Sequence, residues 1–297
     1  VIMNKGDDKL PEFDSLDYSV MDITDQWILS SLNRTISKVN KDYDEYKMND
    51  AVKDVYNFVH NDFCDWYLEF SKSRLYGKDE VDSEKNLIIS IHVLRTILKL
   101  MHPYTPFITE EIWCNIKSEK DGDLINSHWP VVDDDLINHN IESDVQSIME
   151  IIKKIRNIKV TLAISPSKPI TLVLRGDSDK SKIINDNLNL LKKIVKVEKI
   201  IHGDKIEKPS QSAAGVIQNL EFFIPLKNLI DLDKEIDRLQ KQADDMKGRL
   251  GAVNKKLDNA NFVKRAPDHI VNHEEKKRTD YQNSLEKLLD NLNSLKS

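Results

Sequence analysis

The sequence predicts a mainly α-helical protein in which an antiparallel helical bundle is followed by a small α+β domain and a C-terminal antiparallel coiled-coil hairpin. Apolar residues recur at helical intervals along most of the 297 residues, and only eight residues are glycine. This glycine content is well below the roughly 7% that is usual in globular proteins. Near the C-terminus the apolar residues form a strict heptad repeat, which is typical of a coiled coil. We expect a lead-in at residues 1–21, the bundle at 22–141, the α+β domain at 142–225 and the hairpin at 226–297.

Four amphipathic helices make up the predicted bundle. The first begins near Asp22, the second covers residues 49–75, the third begins at Ser83 as an N-cap, and the fourth begins at Pro106. Pro103 ends the third helix, because a proline ring clashes with the preceding turn. Helical spacing predicts the following core side chains: Ile28, Leu32, Ile36, Val39 and Tyr43 in the first helix; Val52, Val55, Val59, Phe63, Trp66 and Phe70 in the second; Leu87, Ile91, Leu94, Leu98 and Met101 in the third; and Ile108, Ile112, Trp113 and Ile116 in the fourth.

The composition changes after the bundle, where short β-branched runs alternate with helical patterns. Trp129 lies just before this change, and we expect it to pack on the bundle as a lid. The pattern then predicts a helix at 143–159, a strand at 170–174, a helix at 177–193 and strands at 195–201 and 220–224. These elements form the small α+β domain.

The heptad repeat predicts the arm of the hairpin. Nine residues follow steps of three and four: Leu229, Leu232, Ile236, Leu239, Ala243, Met246, Leu250, Val253 and Leu257. A return helix beginning near Pro267 resumes the seam at Tyr281, Leu285, Leu288, Leu292 and Leu295, and the last three of these face Leu229, Leu232 and Ile236. Projected backwards, the return seam passes through Arg278, Glu274 and Val271. Gly248 and Gly251 interrupt the first arm helix at a cost of roughly 1 kcal/mol each relative to alanine. They indicate either a close approach of the two backbones or a bend in the arm.

Positive charge is concentrated at the distal part of this hairpin. Residues 247–278 contain nine basic and four acidic residues, a net charge of +5 in a chain whose total is −6. A basic tip on an acidic body is suited to contacts with RNA phosphates. A lysine-rich coiled-coil surface that binds a protein, or that only keeps the chain in solution, is the alternative. The basic residues are Lys247, Arg249, Lys255, Lys256, Lys264, Arg265, Lys276, Lys277 and Arg278.

Several other classes of site are excluded or disfavoured by the sequence. The glycines do not form a G-x-G-x-x-G or G-x-x-x-x-G-K-[ST] run, so the common phosphate loops are absent from it. Cys64 and Cys114 have no C-x-x-C partner, which disfavours a zinc site and a disulfide scaffold. The carboxylates of Asp62, Asp65 and Glu69 share part of a helix face, but such residues usually form caps or ion pairs. We therefore expect no catalytic residue and no metal site in this chain.

Three groups of residues resemble a known family. The runs HNDFCDWYLEFSK (60–72), LKLMHPYTPFITEEIW (98–113) and HWP (128–130) resemble the anticodon-binding bundle of class I aminoacyl-tRNA synthetases for valine, isoleucine and leucine. The run IRNIKVTLAISPSKPI (155–170) is similar to the junction that follows this bundle in valyl-tRNA synthetases. The runs LEFFIPLKNLIDLDKEIDRLQKQ (220–242) and LDNANFVKRAPDHIV (257–271) resemble the C-terminal arm of the valyl enzymes.

The resemblance implies a role for the basic residues. In such a synthetase the bundle receives the anticodon stem-loop, and the arm lies along the outer corner of the tRNA with its basic residues on phosphates. The candidates in the bundle are Arg34, Lys38 and Lys41 on the first helix, and Lys72 and Arg74 after the second. For the first three, a solvated helix face is the alternative. Trp66 and Tyr67 are candidates for stacking on unpaired bases, although Trp66 also fits the core.

The resemblance also implies what the parent protein does. It would be a valine–tRNA ligase of which this chain is a C-terminal fragment, with the catalytic and editing domains upstream of Val1. The expected partners are valine tRNA and these upstream domains. ATP and Mg²⁺ would be used by the parent enzyme and not by this fragment. We expect a cytoplasmic monomer that does not bind membranes. A non-catalytic coiled-coil module that binds another protein is the alternative function, and a stand-alone RNA chaperone is a third.

Overall fold

A computed structural model describes residues 21–77, 79–118, 121–176 and 178–296. The expected lead-in therefore lies almost entirely outside the described residues. The chain divides into two compact units, one ending at Met149 and the other beginning at Glu150. The mainly α-helical fold class with a small sheet and a long C-terminal hairpin is confirmed.

The first unit begins with two of the predicted helices, and the second of them has an unexpected π-helical middle. Helix α1 covers Ile23–Asp44, and the side chain of Asp22 caps it by accepting a hydrogen bond from the Thr24 amide. The second predicted helix consists of α2 (Met48–Asn57), a π-helix (Phe58–Tyr67) and α3 (Leu68–Leu75).

The π-helix changes which side chains of this helix enter the core. A π-turn contains more residues than an α-turn, so the buried face moves relative to a regular 3.6-residue repeat. Of the six predicted core residues, Val55, Phe63 and Phe70 are buried, Val59 and Trp66 are half-buried, and Val52 is exposed. Two residues that the repeat did not select, Phe58 and Tyr67, are buried instead.

The next two helices form where they were predicted, with one different cap. Helix α4 covers Glu80–Met101, and its N-cap is Asp79 rather than Ser83, because the Asp79 carboxylate accepts a hydrogen bond from the Asp82 amide. Helix α5 covers Pro106–Ile116. Its inward face carries Thr109, Trp113 and Ile116 at steps of four and three. Ile108 lies one residue away from this face and is exposed, so the prediction that it is a core residue is wrong.

Trp129 packs on the bundle as expected. Its indole nitrogen donates to Asn40 Oδ1 at 2.7 Å, and its ring meets Tyr43 edge-on at a centroid distance of 5.4 Å. The Trp113 indole donates to the carbonyl of Gly122 at 3.0 Å, which holds the loop after α5 against that helix.

Helix α6 (His139–Thr161) leads to a four-stranded sheet with the order β2-β1-β4-β3. The strands are β1 (Ile170–Gly176), β2 (Val197–Gly203), β3 (Ser212–Ile217) and β4 (Leu220–Pro225). Strands β1 and β2 are parallel and are joined by α7 (Ser178–Asp186) and α8 (Leu188–Val195). Strand β3 was not predicted, because its small residues lack the usual strand pattern. Its Gly215 lies under the ring of Phe222 on β4, so a Cβ atom there would collide with that ring.

A buried lysine ties the end of α6 to the sheet. Lys159 is 4% exposed, and its Nζ donates to the carbonyls of Pro166 at 3.1 Å, Lys168 at 2.7 Å and Val195 at 2.9 Å. Burial lowers the pKa of Lys159 from its ordinary value. Three carbonyl acceptors compensate for the loss of water around the ammonium group.

The hairpin consists of α9 (Leu232–Leu257), the short α10 (Ala260–Arg265) and α11 (Asp268–Lys296). Its base is an apolar cluster around the buried side chains of Leu239, Ala243 and Leu292, together with Leu162 and Leu226. Leu229, Leu232, Ile236, Leu285 and Leu288 pack against this cluster, as the seam predicted. The side chain of Leu295 lies outside the described part of the chain.

The two arm glycines lie in open surroundings. A Cβ atom on Gly248 or Gly251 would meet nothing within 4 Å, so the hypothesis of a close backbone approach at these positions is wrong. We expect Gly248→Ala and Gly251→Ala each to stabilise the arm by roughly 1 kcal/mol, because alanine has the higher helix propensity. Urea unfolding followed by far-UV circular dichroism measures this gain. Gly215→Ala is the matched control and should destabilise, whereas a loss of stability in both arm variants would contradict the prediction.

Candidate nucleic-acid interface

The basic stripe on α1 is exposed but partly neutralised. Arg34 Nε lies 3.1 Å from Glu142 Oε2, with the arginine side chain 44% exposed. Lys38 Nζ lies 2.9 Å from Asp54 Oδ1, with the lysine side chain 58% exposed. Lys41 is exposed, and among the described residues its ammonium group has no carboxylate within ion-pairing distance. An RNA phosphate would therefore compete with protein carboxylates for Arg34 and Lys38, but not for Lys41.

The two candidates after the second predicted helix have different surroundings. Lys72 is exposed and pairs with Glu69 at 2.6 Å. Arg74 is 9% exposed, and its guanidinium group donates to Asp25 Oδ2 at 2.6 Å and to Asp82 Oδ1 at 2.8 Å. Arg74 therefore has a structural position in the bundle, and we remove it from the candidates for RNA contact.

The stacking candidates are also revised. Tyr67 is fully buried and donates its hydroxyl hydrogen bond to Asp25 Oδ1 at 2.8 Å. Trp66 is half-buried against the ring of Phe70, at a centroid distance of 5.4 Å. Tyr67 cannot stack on a base from its buried position, and Trp66 offers only part of its ring.

Two exposed tyrosines that the sequence reading missed are better placed for stacking. Tyr46 is 87% exposed and has a left-handed backbone with φ of 59° in the turn between α1 and α2. Tyr56 is 62% exposed and lies nearly parallel to the His60 ring at a centroid distance of 5.7 Å. Both fall outside the buried helical repeat, and this was the signal that could have identified them.

The three carboxylates that were considered for acid–base chemistry each have a different partner. Asp62 accepts a hydrogen bond from Ser31 Oγ at 2.5 Å, and burial raises the pKa of Asp62. Asp65 lies 3.7 Å from His60, whereas Glu69 pairs with Lys72. Within the described ranges, no three His, Cys, Asp or Glu side chains are arranged to hold a metal ion. None of the described helices is both long and apolar enough to cross a membrane.

The nine basic residues at positions 247–278 of the arm are of two kinds. Four are paired with carboxylates: Lys247 with Asp244 at 3.9 Å, Arg249 with Asp245 at 2.9 Å, and both Lys256 and Lys277 with Glu274. Lys255, Lys264 and Lys276 are exposed, and Arg278 is half-buried. Among the described residues these four have no ion-pairing carboxylate. The side chain of Arg265 lies outside the described part.

Two models of known protein families match parts of this chain. Residues 25–174 match the family model of the anticodon-binding domain of tRNA ligase. Residues 231–296 match the model of the valyl tRNA synthetase tRNA binding arm.

The curated relatives agree with these matches. The chain is 34% identical to a valine–tRNA ligase of Listeria innocua over 96% of this chain and 32% of that protein. It is 37% identical to a valine–tRNA ligase of Fusobacterium nucleatum over 99% of this chain and 33% of that protein, and 36% identical to one of Clostridium tetani over 100% and 33%. The chain thus spans about a third of the length of these relatives, and it matches their C-terminal part. Because the first family model covers half of the chain, the chain belongs to the family of anticodon-binding domains of tRNA ligases.

Proposed function

We propose that this chain is the tRNA-binding part of a valine–tRNA ligase, the enzyme that uses ATP to attach valine to its tRNA. The match of residues 231–296 to the tRNA binding arm, combined with exposed lysines on that arm without carboxylate partners, is the observation that carries the proposal. The bundle at 22–141 would bind the anticodon stem-loop and the arm at 226–297 the outer corner of the tRNA, and the α+β domain at 142–225 connects them in the sequence.

In the bundle, Lys41, Lys72, Arg34 and Lys38 would contact phosphates, and Tyr46 and Tyr56 would stack on unpaired bases. Stacking on aromatic rings is the usual way to hold bases that are not paired. Arg34, Lys38 and Lys72 must exchange a carboxylate partner for a phosphate, so Lys41 should contribute most per residue.

The rest of the parent enzyme would supply the chemistry. ATP and Mg²⁺ would be bound there and not by the residues of this chain, whose sequence contains neither of the two common phosphate loops and whose described part contains no group of three metal ligands. We assign no catalytic step to the residues of this chain. The parent would be a cytoplasmic monomer whose upstream catalytic and editing domains receive the acceptor end of the same tRNA.

Filter binding of a valine tRNA transcript at increasing salt tests the proposal. We expect the logarithm of affinity to fall linearly with the logarithm of salt concentration, by about 0.9 for each phosphate contact. A protein-binding coiled-coil module would not bind the tRNA, or would bind it with an affinity that does not change with salt. Either result would contradict the tRNA proposal.

Charge reversal on the arm localises the contact. Lys255→Glu, Lys264→Glu and Lys276→Glu together should weaken binding by roughly 100-fold or more and reduce the salt slope by about 2.7, since each lost phosphate contact removes about 0.9. These positions are exposed, so the arm should remain folded. Lys256 is left unchanged because it pairs with a buried carboxylate.

The matched control moves the same change in charge to the α+β domain. Lys182, Lys192 and Lys199 are also exposed. Reversing their charges should change the salt slope from that of wild type by less than about 0.9, the value of one phosphate contact. Equal losses in the two triple variants would mean that only total charge matters, and that the arm has no specific role.

A further inference from the structure

The return helix of the hairpin carries a carboxylate where the heptad repeat requires an apolar side chain. Glu274 follows Val271 by three residues and continues the seam that reaches Tyr281 and Leu285. Its side chain is buried, at 6% exposure. Replacing buried ion pairs by apolar residues is often neutral or stabilising. Hairpin stability therefore does not by itself explain a glutamate at this position.

The contacts of Glu274 link both helices of the arm. Its Oε1 accepts a hydrogen bond from Lys277 Nζ on α11 at 3.0 Å. Its Oε2 lies 3.6 Å from Lys256 Nζ on α9, and this oxygen makes no hydrogen bond among the described residues. The hydrogen bond from Lys277 lowers the pKa of Glu274, and the charges of Lys256 and Lys277 lower it further although desolvation opposes them. The carboxylate is therefore ionised at neutral pH.

Two cations of the basic tip thus share one anion. Lys256 and Lys277 are both partly exposed, with side chains at 57% and 38%, so a phosphate can reach them from solvent. When it does, it approaches a fixed negative charge as well as the two ammonium groups. The phosphate and the Glu274 carboxylate repel each other at short range. The carboxylate must also lose part of its interaction with the two lysines.

We propose that Glu274 is an intramolecular competitor of tRNA phosphate, which occupies Lys256 and Lys277 and thereby limits how tightly the arm holds the tRNA. This inference rests on the proposed function, since it assumes that the arm binds tRNA. A ligase has to release each tRNA after use, and a built-in competitor on the arm shortens the residence time without removing the lysines.

Glu274→Gln tests the inference in the full chain. Glutamine keeps the size of the side chain and an acceptor for Lys277, but it removes the negative charge. We expect the variant to bind valine tRNA about three- to tenfold more tightly and to dissociate more slowly. The salt slope should become steeper by about 0.9 to 1.8, the value of one or two additional phosphate contacts. Thermal unfolding of the hairpin should not occur at a lower temperature.

Glu275→Gln is the matched control. Glu275 is the next residue along α11 and is exposed, and no basic side chain lies within ion-pairing distance of it among the described residues. The same loss of charge there should leave the salt slope unchanged. Adding Lys256→Gln and Lys277→Gln to the Glu274→Gln variant should abolish the gain in affinity.

The possible outcomes distinguish failure of this inference from failure of the proposed tRNA-binding function. If wild-type chain shows no salt-dependent binding of the tRNA, the proposed function fails. If wild-type chain binds but Glu274→Gln behaves like Glu275→Gln, the competitor role is overturned. Weaker binding together with a lower unfolding temperature would also overturn it, because Glu274 would then be a purely structural residue.

Discussion

Arg74→Ala is expected to lower the free energy of unfolding of the bundle by about 3–5 kcal/mol, the usual cost of removing one partner of a buried ion pair. The substitution leaves the Asp25 carboxylate at 0% exposure without its guanidinium partner at 2.6 Å. The hydroxyl of Tyr67 and the amide of Asn86 still donate to Asp25, but neither carries a charge. Urea unfolding followed by tryptophan fluorescence measures the loss, because all four tryptophans, at positions 27, 66, 113 and 129, precede Glu150.

The effect of Arg74→Ala should depend on pH. Burial already raises the pKa of Asp25, and Arg74 opposes that shift, so the substitution raises this pKa further. A carboxyl whose pKa is higher in the folded than in the unfolded state stabilises the fold at low pH, and this contribution is lost as the pH rises through the folded-state pKa. The difference in free energy of unfolding between the variant and wild type should therefore be smallest in acid and largest at neutral pH.

Lys72→Ala is the control for Arg74→Ala. The ion pair between Lys72 and Glu69 is exposed and joins residues three apart on one helix, and such pairs contribute about 0.2–0.5 kcal/mol to stability. Lys72→Ala should instead weaken tRNA binding if this lysine contacts a phosphate. A loss of less than about 1 kcal/mol in Arg74→Ala would mean that Asp25 is not held as a buried charge.

Leu239→Asp should separate the two helices at the base of the arm. Leu239 is 1% exposed and packs with Ala243 and Leu292. The substitution removes an apolar side chain and places an unpaired carboxylate in the seam. Its expected cost is about 4 kcal/mol or more, since core Leu→Ala alone costs roughly 2–5 kcal/mol. Far-UV circular dichroism should show loss of helix at a lower urea concentration, with the tryptophan fluorescence transition unchanged.

Lys241→Asp introduces the same residue two positions later on the exposed face of α9. It should leave both transitions close to those of wild type. Leu239→Asp should also lose most of the tRNA affinity that depends on the arm. Retained helix and retained affinity in that variant would contradict the packing of α9 on α11.

The helical pattern predicted the positions of the helices better than it predicted which side chains of a helix are buried. Helices α1, α4 and α5 lie where the apolar spacing predicted them, because this spacing depends only on residues that are close together in the sequence. In the second predicted helix, Val52 is exposed although it precedes the π-helical segment, and that segment changes the buried face so that Phe58 and Tyr67 enter the core. A regular repeat cannot predict that change. Strand β3 was missed for a different reason: its small residues lack the usual strand pattern, and the need for glycine at position 215 comes from the Phe222 ring on the neighbouring strand.

The candidate site shows the same division at the level of charge. The sequence by itself determined the mainly helical fold class, the heptad seam and the concentration of basic residues on the arm, because each depends on residues close together in the chain. Only the tertiary structure decided which of the candidate basic residues, in the bundle and on the arm, are available to a phosphate. Arg74 is held by Asp25, which is 49 residues away, and Lys256 is held by Glu274 on the opposite helix. Burial and ion pairing depend on residues that folding brings together, and no local pattern records them.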